Sequence, residues 1–215
     1  MMEDDFSYRN GYQRNTRRTV TFIPRFTIAV ILLNLLIFLF TDLFGFAYQE
    51  EIVDWGALEW YRVLKQGEWY RIFTSMFLHS DMEHIGNNMF ILACMGYYLE
   101  REIGSVRCGI LYFGSGILAG CTSMVYNMVQ NSFVVSIGAS GAIFGTIGAL
   151  LYIVLFFKQK EFQYSIQQVA FLAFLSLYSG FVNQEVDNAA HVGGFIAGFF
   201  IMGLLSIGLR RKKNQ

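Results

Sequence analysis

The stretch Ser136–Gly145, SIGASGAIFG, opens an apolar run that ends near Phe157. It holds Gly138, Gly141 and Gly145, and each glycine costs a helix about 1 kcal/mol relative to alanine. A chain that needs a helix here has therefore placed poor helix formers, and one serine, at its start. Glycine has to serve something other than helix formation, and close approach of a second helix is the physical candidate.

Outward from this run, the composition is that of a membrane protein. Hydrophobic residues make up 54% of the 215, and charged residues 15%. A soluble domain carries about 25% charged residues. A spanning helix needs about 20 mostly apolar residues. Residues 27–46, 84–98, 106–125, 140–157, 166–182 and 189–209 supply six candidates, the fifth being the shortest. The first run lacks a small-residue cleavage site, so no removable signal is expected. Cys94, Cys108 and Cys121 lie in or beside apolar runs without metal-ligand spacing and read as small packing residues.

Basic residues mark the cytoplasmic side. Arg9, Arg14, Arg17, Arg18 and Arg25 lie before the first run or at its edge, and Arg210, Arg211, Lys212 and Lys213 follow the last. Arg101 and Arg107, then Lys158 and Lys160, fall in alternate connections. Six spans with both termini inside satisfy this pattern. The expected organisation is a basic cytoplasmic tail over 1–26, a membrane domain over 27–209 and a second basic tail over 210–215. The first outer loop, 47–83, carries all three tryptophans (Trp55, Trp60, Trp69) with Tyr48, Tyr61 and Tyr70. These side chains favour the headgroup level, so the loop is expected to lie along the interface as an anchor or as a structured support.

Polar groups inside a membrane are functional candidates by default. Here they are His79, His84, Asn87 and Asn88; Ser140; and Asp187, Asn188 and His191. With the N-terminus inside, helices two, four and six all start at the outer face. At about 1.5 Å per residue, Ser140 lies roughly 27 Å from Lys158, His191 roughly 28 Å from Arg210 and His84 roughly 26 Å from Arg101. Three helices far apart in sequence thus bring polar groups to one level.

Gly141, Gly145 and Gly148 form one smooth strip; Ala190, Gly194 and Gly198 form another beside His191. If these strips touch, the Ser140 hydroxyl comes within reach of the His191 ring. A serine hydroxyl is weakly nucleophilic and needs such a base. The Ser140 N–H, at a helix N-terminus, is free to donate. His84 and Asn88, four apart, share a helix face and can both donate to a developing oxyanion. Asp187 lies four residues before His191; it mimics a triad acid but reads better as a loop or N-cap residue. No zinc-protease HExxH pattern is present and no metal or cofactor is expected.

These motifs together resemble the rhomboid family of intramembrane serine proteases: His79, His84 and Asn88 as HxxxxHxxxN, Gly138–Gly141 as GASG, and Ala190, His191, Gly194 and Gly198 as AHxxGxxxG. Gly96, Glu100 and Gly104 are similar to the family's end of the second helix. Where the family commonly has Trp-Arg in the first outer loop, this chain has Tyr70-Arg71 after Trp69.

The resemblance, which spans about 55–198, implies an all-α, six-helix polytopic membrane protein. It implies a dyad of Ser140 as nucleophile and His191 as general base, with His84, Asn88 and the Ser140 N–H as oxyanion hole. His79, Gly138, Gly141, Gly194 and Gly198 would give structural support. The site would open to the outer face between 126–137 and 183–188, and the fifth helix would gate it. Substrates would be single-span membrane proteins arriving from lipid, with no nucleic-acid partner. A bacterial plasma membrane is the expected location. The alternatives are a catalytically inactive relative that binds membrane proteins and directs their traffic or degradation, and a small transporter using the polar cluster as a binding site.

Overall fold

The computed structural model describes residues 22–43, 54–157 and 186–213. The candidate fifth helix, Tyr48, Lys158, Lys160 and most of the N-terminal tail lie outside them. The described part is all-α. Helices are α1 (Arg25–Leu43), α2 (Trp60–Gln66), α3 (Arg71–Thr74), α4 (Met82–Ile103), α5 (Ser105–Val129), α6 (Ser140–Phe156) and α7 (Asn188–Lys213), with a 3-10 turn at Ser75–Phe77. By length and composition α5 and the Asn188–Ile207 part of α7 can cross a membrane, while Arg25–Thr41 and Ser140–Phe156 are shorter apolar helices.

Helix boundaries follow local chemistry. Pro24, the one proline, sits just ahead of α1, where a missing N–H costs nothing. The polar helix α4 runs longer at both ends than its apolar stretch suggests. Asp81 caps its start by accepting the His84 N–H, and Gly104, at φ 82°, ends it. Ala139 is the N-cap of α6 and offers no side-chain acceptor. The first N–H groups of that helix, Ser140 among them, therefore lack a cap.

The core is built around α6, whose residues from Gly141 to Leu150 are all buried. Leu92, Leu99, Leu111, Tyr112, Ile143, Ile147, Leu150 and Met202 close the interior. On the outside the pattern inverts. Leu36, Phe90 and Leu204 are 63%, 72% and 70% exposed, a surface suited to lipid rather than water.

Glycine decides how closely α6 and α7 approach. A Cβ on Gly194 would lie 2.0 Å from the Gly141 carbonyl oxygen, and one on Gly148 2.1 Å from that of Phe195. The two backbones touch, and dispersion over that contact supplies what the hydrophobic effect cannot in lipid.

A second close contact joins α1 to α4. Glu100 is fully buried and accepts the N–H groups of Phe26 and Thr27 at 2.9 Å each. It also accepts the hydroxyls of Thr27 at 2.8 Å and Ser105 at 2.6 Å. The carboxylate thus satisfies donors of the first turn of α1, where negative charge is also favoured by the helix dipole. Gly96 lets Thr27 pack against α4, since a Cβ there would meet the threonine at 2.8 Å.

The described part of the connection from α1 to α4, residues 54–81, is structured. Trp55, Tyr61, Trp69, Tyr70 and Phe73 point outward, each more than two-fifths exposed. Its inner side holds Arg71, which is 1% exposed, pairs with Glu68 and donates to the Ala57 carbonyl at 3.0 Å. Leu58 and Ser136 exchange both backbone hydrogen bonds at 2.9 Å. The aromatic loop is thereby fastened to the segment that leads into Ser140.

Candidate active site

Ser140 is the first residue of α6 and His191 lies in the first turn of α7. The glycine contact between these helices brings His191 Nε2 to 2.9 Å from Ser140 Oγ. The His191 side is enclosed: the residue is 6% exposed and its buried Nδ1 has no hydrogen-bond partner among the described residues. Among the described residues, Ser140 and His191 form a pair with no third side chain on the far nitrogen. The Phe144 ring stacks on the imidazole at a centroid distance of 4.2 Å.

Asp187 does not reach the far nitrogen of His191. Its Oδ1 accepts the Ala190 N–H at 2.9 Å, as a helix N-cap does. Its Oδ2 accepts the hydroxyls of Ser123 on α5 and Ser136 in the preceding loop. Asn127 adds a hydrogen bond to Ser123 at 3.2 Å. The carboxylate thus ties the start of the His191 helix to the segment four residues before Ser140.

Opposite the dyad stand His84 and Asn88, both on α4. Asn88 is 6% exposed, and its buried Nδ2 has no partner among the described residues. An amide N–H held there is available to donate to an incoming acceptor. Gly138, at φ 111°, admits both side chains. A Cβ there would lie 2.7 Å from His84 Nε2 and 3.4 Å from Asn88 Nδ2. Any larger residue at 138 closes the gap between α4 and Ser140. The free N–H of Ser140 adds a backbone donor on the α6 side.

His79 lies in the loop ahead of α4, is 3% exposed and meets the edge of the His84 ring at 5.0 Å. Burial first, then the nearby His84, lowers its pKa to about 3, so the ring is neutral. Its contact with His84 is a ring-edge contact, and neither of its nitrogens has a hydrogen-bond partner among the described residues.

Ser140, His191, His84, Asn88, His79 and Gly138 therefore converge, while Gly141, Gly194 and Gly198 lie along the α6–α7 seam. Three contributors escaped the sequence reading. Phe144 lies four residues after Ser140, one turn away on the same face, which is the signal that could have found it. Ser123 and Ser136 carry no such signal, because only the tertiary fold brings them to Asp187.

Residues 66–207 match the family described as a Rhomboid domain. The chain is 34% identical over 185 residues to Rhomboid protease GluP of Bacillus subtilis (strain 168), covering 86% of this chain and 35% of that protein. It is 38% identical over 148 residues to RHOMBOID-like protein 5 of Arabidopsis thaliana, covering 68% and 47%. It is 35% identical over 136 residues to Putative rhomboid protease YdcA of Bacillus subtilis (strain 168), covering 63% and 66%. The chain thus spans about a third to two-thirds of the length of these relatives.

Proposed function

This chain belongs to the rhomboid family, a family of integral membrane peptidases, and from that premise we propose that it is an intramembrane serine endopeptidase working through Ser140 and His191. The observation that carries the reading is the 2.9 Å contact of His191 Nε2 with Ser140 Oγ.

Ser140 Oγ attacks the peptide carbonyl as His191 Nε2 takes its proton, and the imidazolium then protonates the leaving amine. Asn88 Nδ2, the Ser140 N–H and His84 stabilise the oxyanion. One such donor is worth about 2.7–4 kcal/mol of transition-state stabilisation. His79 and Gly138 hold the oxyanion side, and Gly141, Gly194 and Gly198 hold the dyad side.

On this reading the substrates are single-span membrane proteins presented from lipid. Residues 27–209 form the six-helix domain, 47–83 its interfacial outer loop, and 1–26 and 210–215 its basic cytoplasmic tails. The site opens to the outer face of a bacterial plasma membrane. The chemistry named here needs no cofactor.

The test uses the purified protein in lipid vesicles with a fluorescent fluorophosphonate and a model single-span substrate. Wild type should label and cleave, and Ser140→Ala and His191→Ala should do neither. Cleavage surviving Ser140→Ala would sink the assignment. Capture of membrane proteins without labelling would favour an inactive binding relative, and substrate flux across sealed vesicles a transporter.

A further inference from the structure

The oxyanion side carries a proton-ordering device in the short segment Ser80–His84. Asp81 uses both carboxylate oxygens. Oδ1 accepts the His84 backbone N–H at 2.8 Å, and Oδ2 accepts the Ser80 hydroxyl at 2.6 Å. The same hydroxyl lies 3.1 Å from His84 Nδ1. The hydrogen bond from Ser80 first, then that from the His84 N–H, holds the Asp81 carboxyl below its ordinary value. Asp81 is therefore ionised at neutral pH and can only accept.

A hydroxyl has one proton and an ionised carboxylate has none. The Ser80 proton goes to Asp81, and only a lone pair of Ser80 is left for the ring. His84 Nδ1 must then carry hydrogen. A neutral imidazole has one N–H, so its Nε2 is left as a bare acceptor. Nε2 is the nitrogen beside Gly138, where an oxyanion donor has to be.

The geometry assigns Ser80 and Asp81 as positioning residues that hold neutral His84 in its Nδ1–H form, so that Nε2 donates to the oxyanion only when the ring is an imidazolium. This rests on the oxyanion role proposed for His84. The two rings of the site then have opposite requirements: His84 protonated, His191 not. The groups facing His84 are Asp81 and His79 from the loop and, from α7, His191, which lies within electrostatic reach.

Asp81→Asn is the discriminating variant. Asparagine is as good an N-cap as aspartate, so α4 keeps its start. The cap needs oxygen at the Oδ1 position, which puts the amide nitrogen opposite Ser80. Ser80 must then accept from Asn and give its own proton to His84 Nδ1. The relay reverses, and the neutral ring becomes Nε2–H.

Histidine-labelled 15N spectra of the protein across pH read the tautomer directly, with His79→Asn and His191→Asn assigning the three rings. Neutral His84 should be Nδ1–H in wild type and Nε2–H in Asp81→Asn. Wild-type cleavage should fall about tenfold per pH unit above the His84 titration point, and Asp81→Asn should keep its rate there. An Nε2–H ring in neutral wild type, or the same alkaline fall in Asp81→Asn, would overturn the proposal. If no variant labels or cleaves, the protease reading falls, and the wild-type spectrum still decides the tautomer.

Discussion

The ring of Phe144 lies nearly parallel to the imidazole of His191, with centroids 4.2 Å apart and 18° between planes. Among the described residues Nδ1 has no partner, so this stacking helps to limit ring rotation about the Ser140 hydrogen bond. Such contacts are worth about 0.5–1.5 kcal/mol. Phe144→Ala should therefore lower kcat by about tenfold with little change in KM, as expected for lost orientation rather than lost binding. Phe144→Tyr keeps the aromatic face and should retain most of the rate. Steady-state kinetics in vesicles decide this; equal rates for Phe144→Ala and wild type would remove the role.

Gly198 packs on the backbone of Gly145: a Cβ would lie 2.0 Å from its carbonyl oxygen. No side-chain rotation relieves a clash with backbone. Gly198→Ala should cost about 1–3 kcal/mol by overpacking and reduce fluorophosphonate labelling. Gly86→Ala is the control, since nothing lies within 4 Å of its Cβ position. It should raise stability by up to about 1 kcal/mol through helix propensity. Thermal unfolding in detergent compares the two, and equal melting temperatures would refute the packing argument.

Asp187 links α7, α5 and the loop before Ser140 through Ala190, Ser123 and Ser136. Asp187→Ala frees the start of α7 to drift relative to Ser140. A displacement near 1 Å can cost on the order of 100-fold in rate. A fall in kcat on the order of 10–100-fold is expected, with Asp187→Asn intermediate because it keeps the cap. A loss of similar size in Ser123→Ala/Ser136→Ala would tie the effect to the network. Full activity in Asp187→Ala would show that the glycine seam alone aligns the dyad.

His79 is buried and neutral, with its pKa lowered to about 3 from an ordinary 6.5. Below about pH 6.5 the unfolded chain binds a proton that the folded ring refuses. Stability is therefore lost as pH falls from 6.5 toward 3, by up to about 1.4 kcal/mol per unit. His79→Asn should flatten this part of the profile. Unfolding midpoints between pH 4 and 7 test it, and parallel profiles would count against a neutral buried ring.

Much of the site was legible because its chemistry is written in short spacings. Ser140 between glycines, His191 beside a four-residue glycine repeat, and Asn88 one turn after His84 all report helix faces. The all-α class was legible from the apolar runs. Position of polar residues at helix starts was readable for the same reason. The Ser123–Ser136–Asp187 cluster was not, since three ordinary polar residues acquire meaning only when α5, the loop and α7 meet. Arg71 reads as an outer-loop cation in sequence, yet it is buried against Glu68 and the Ala57 carbonyl. Sequence shows its charge but not the carbonyl that awaits it.

The α6–α7 seam has a kinematic consequence. Helices that meet carbonyl to glycine cannot part or slide by even a fraction of a turn without breaking the register that pairs Ser140 with His191. On the proposed reading, a polypeptide cannot pass through that seam while Ser140 and His191 stay paired. Its way in would then lie on a face of the bundle that carries neither of these two side chains. The seam would serve as the fixed jamb and leave access to be decided elsewhere.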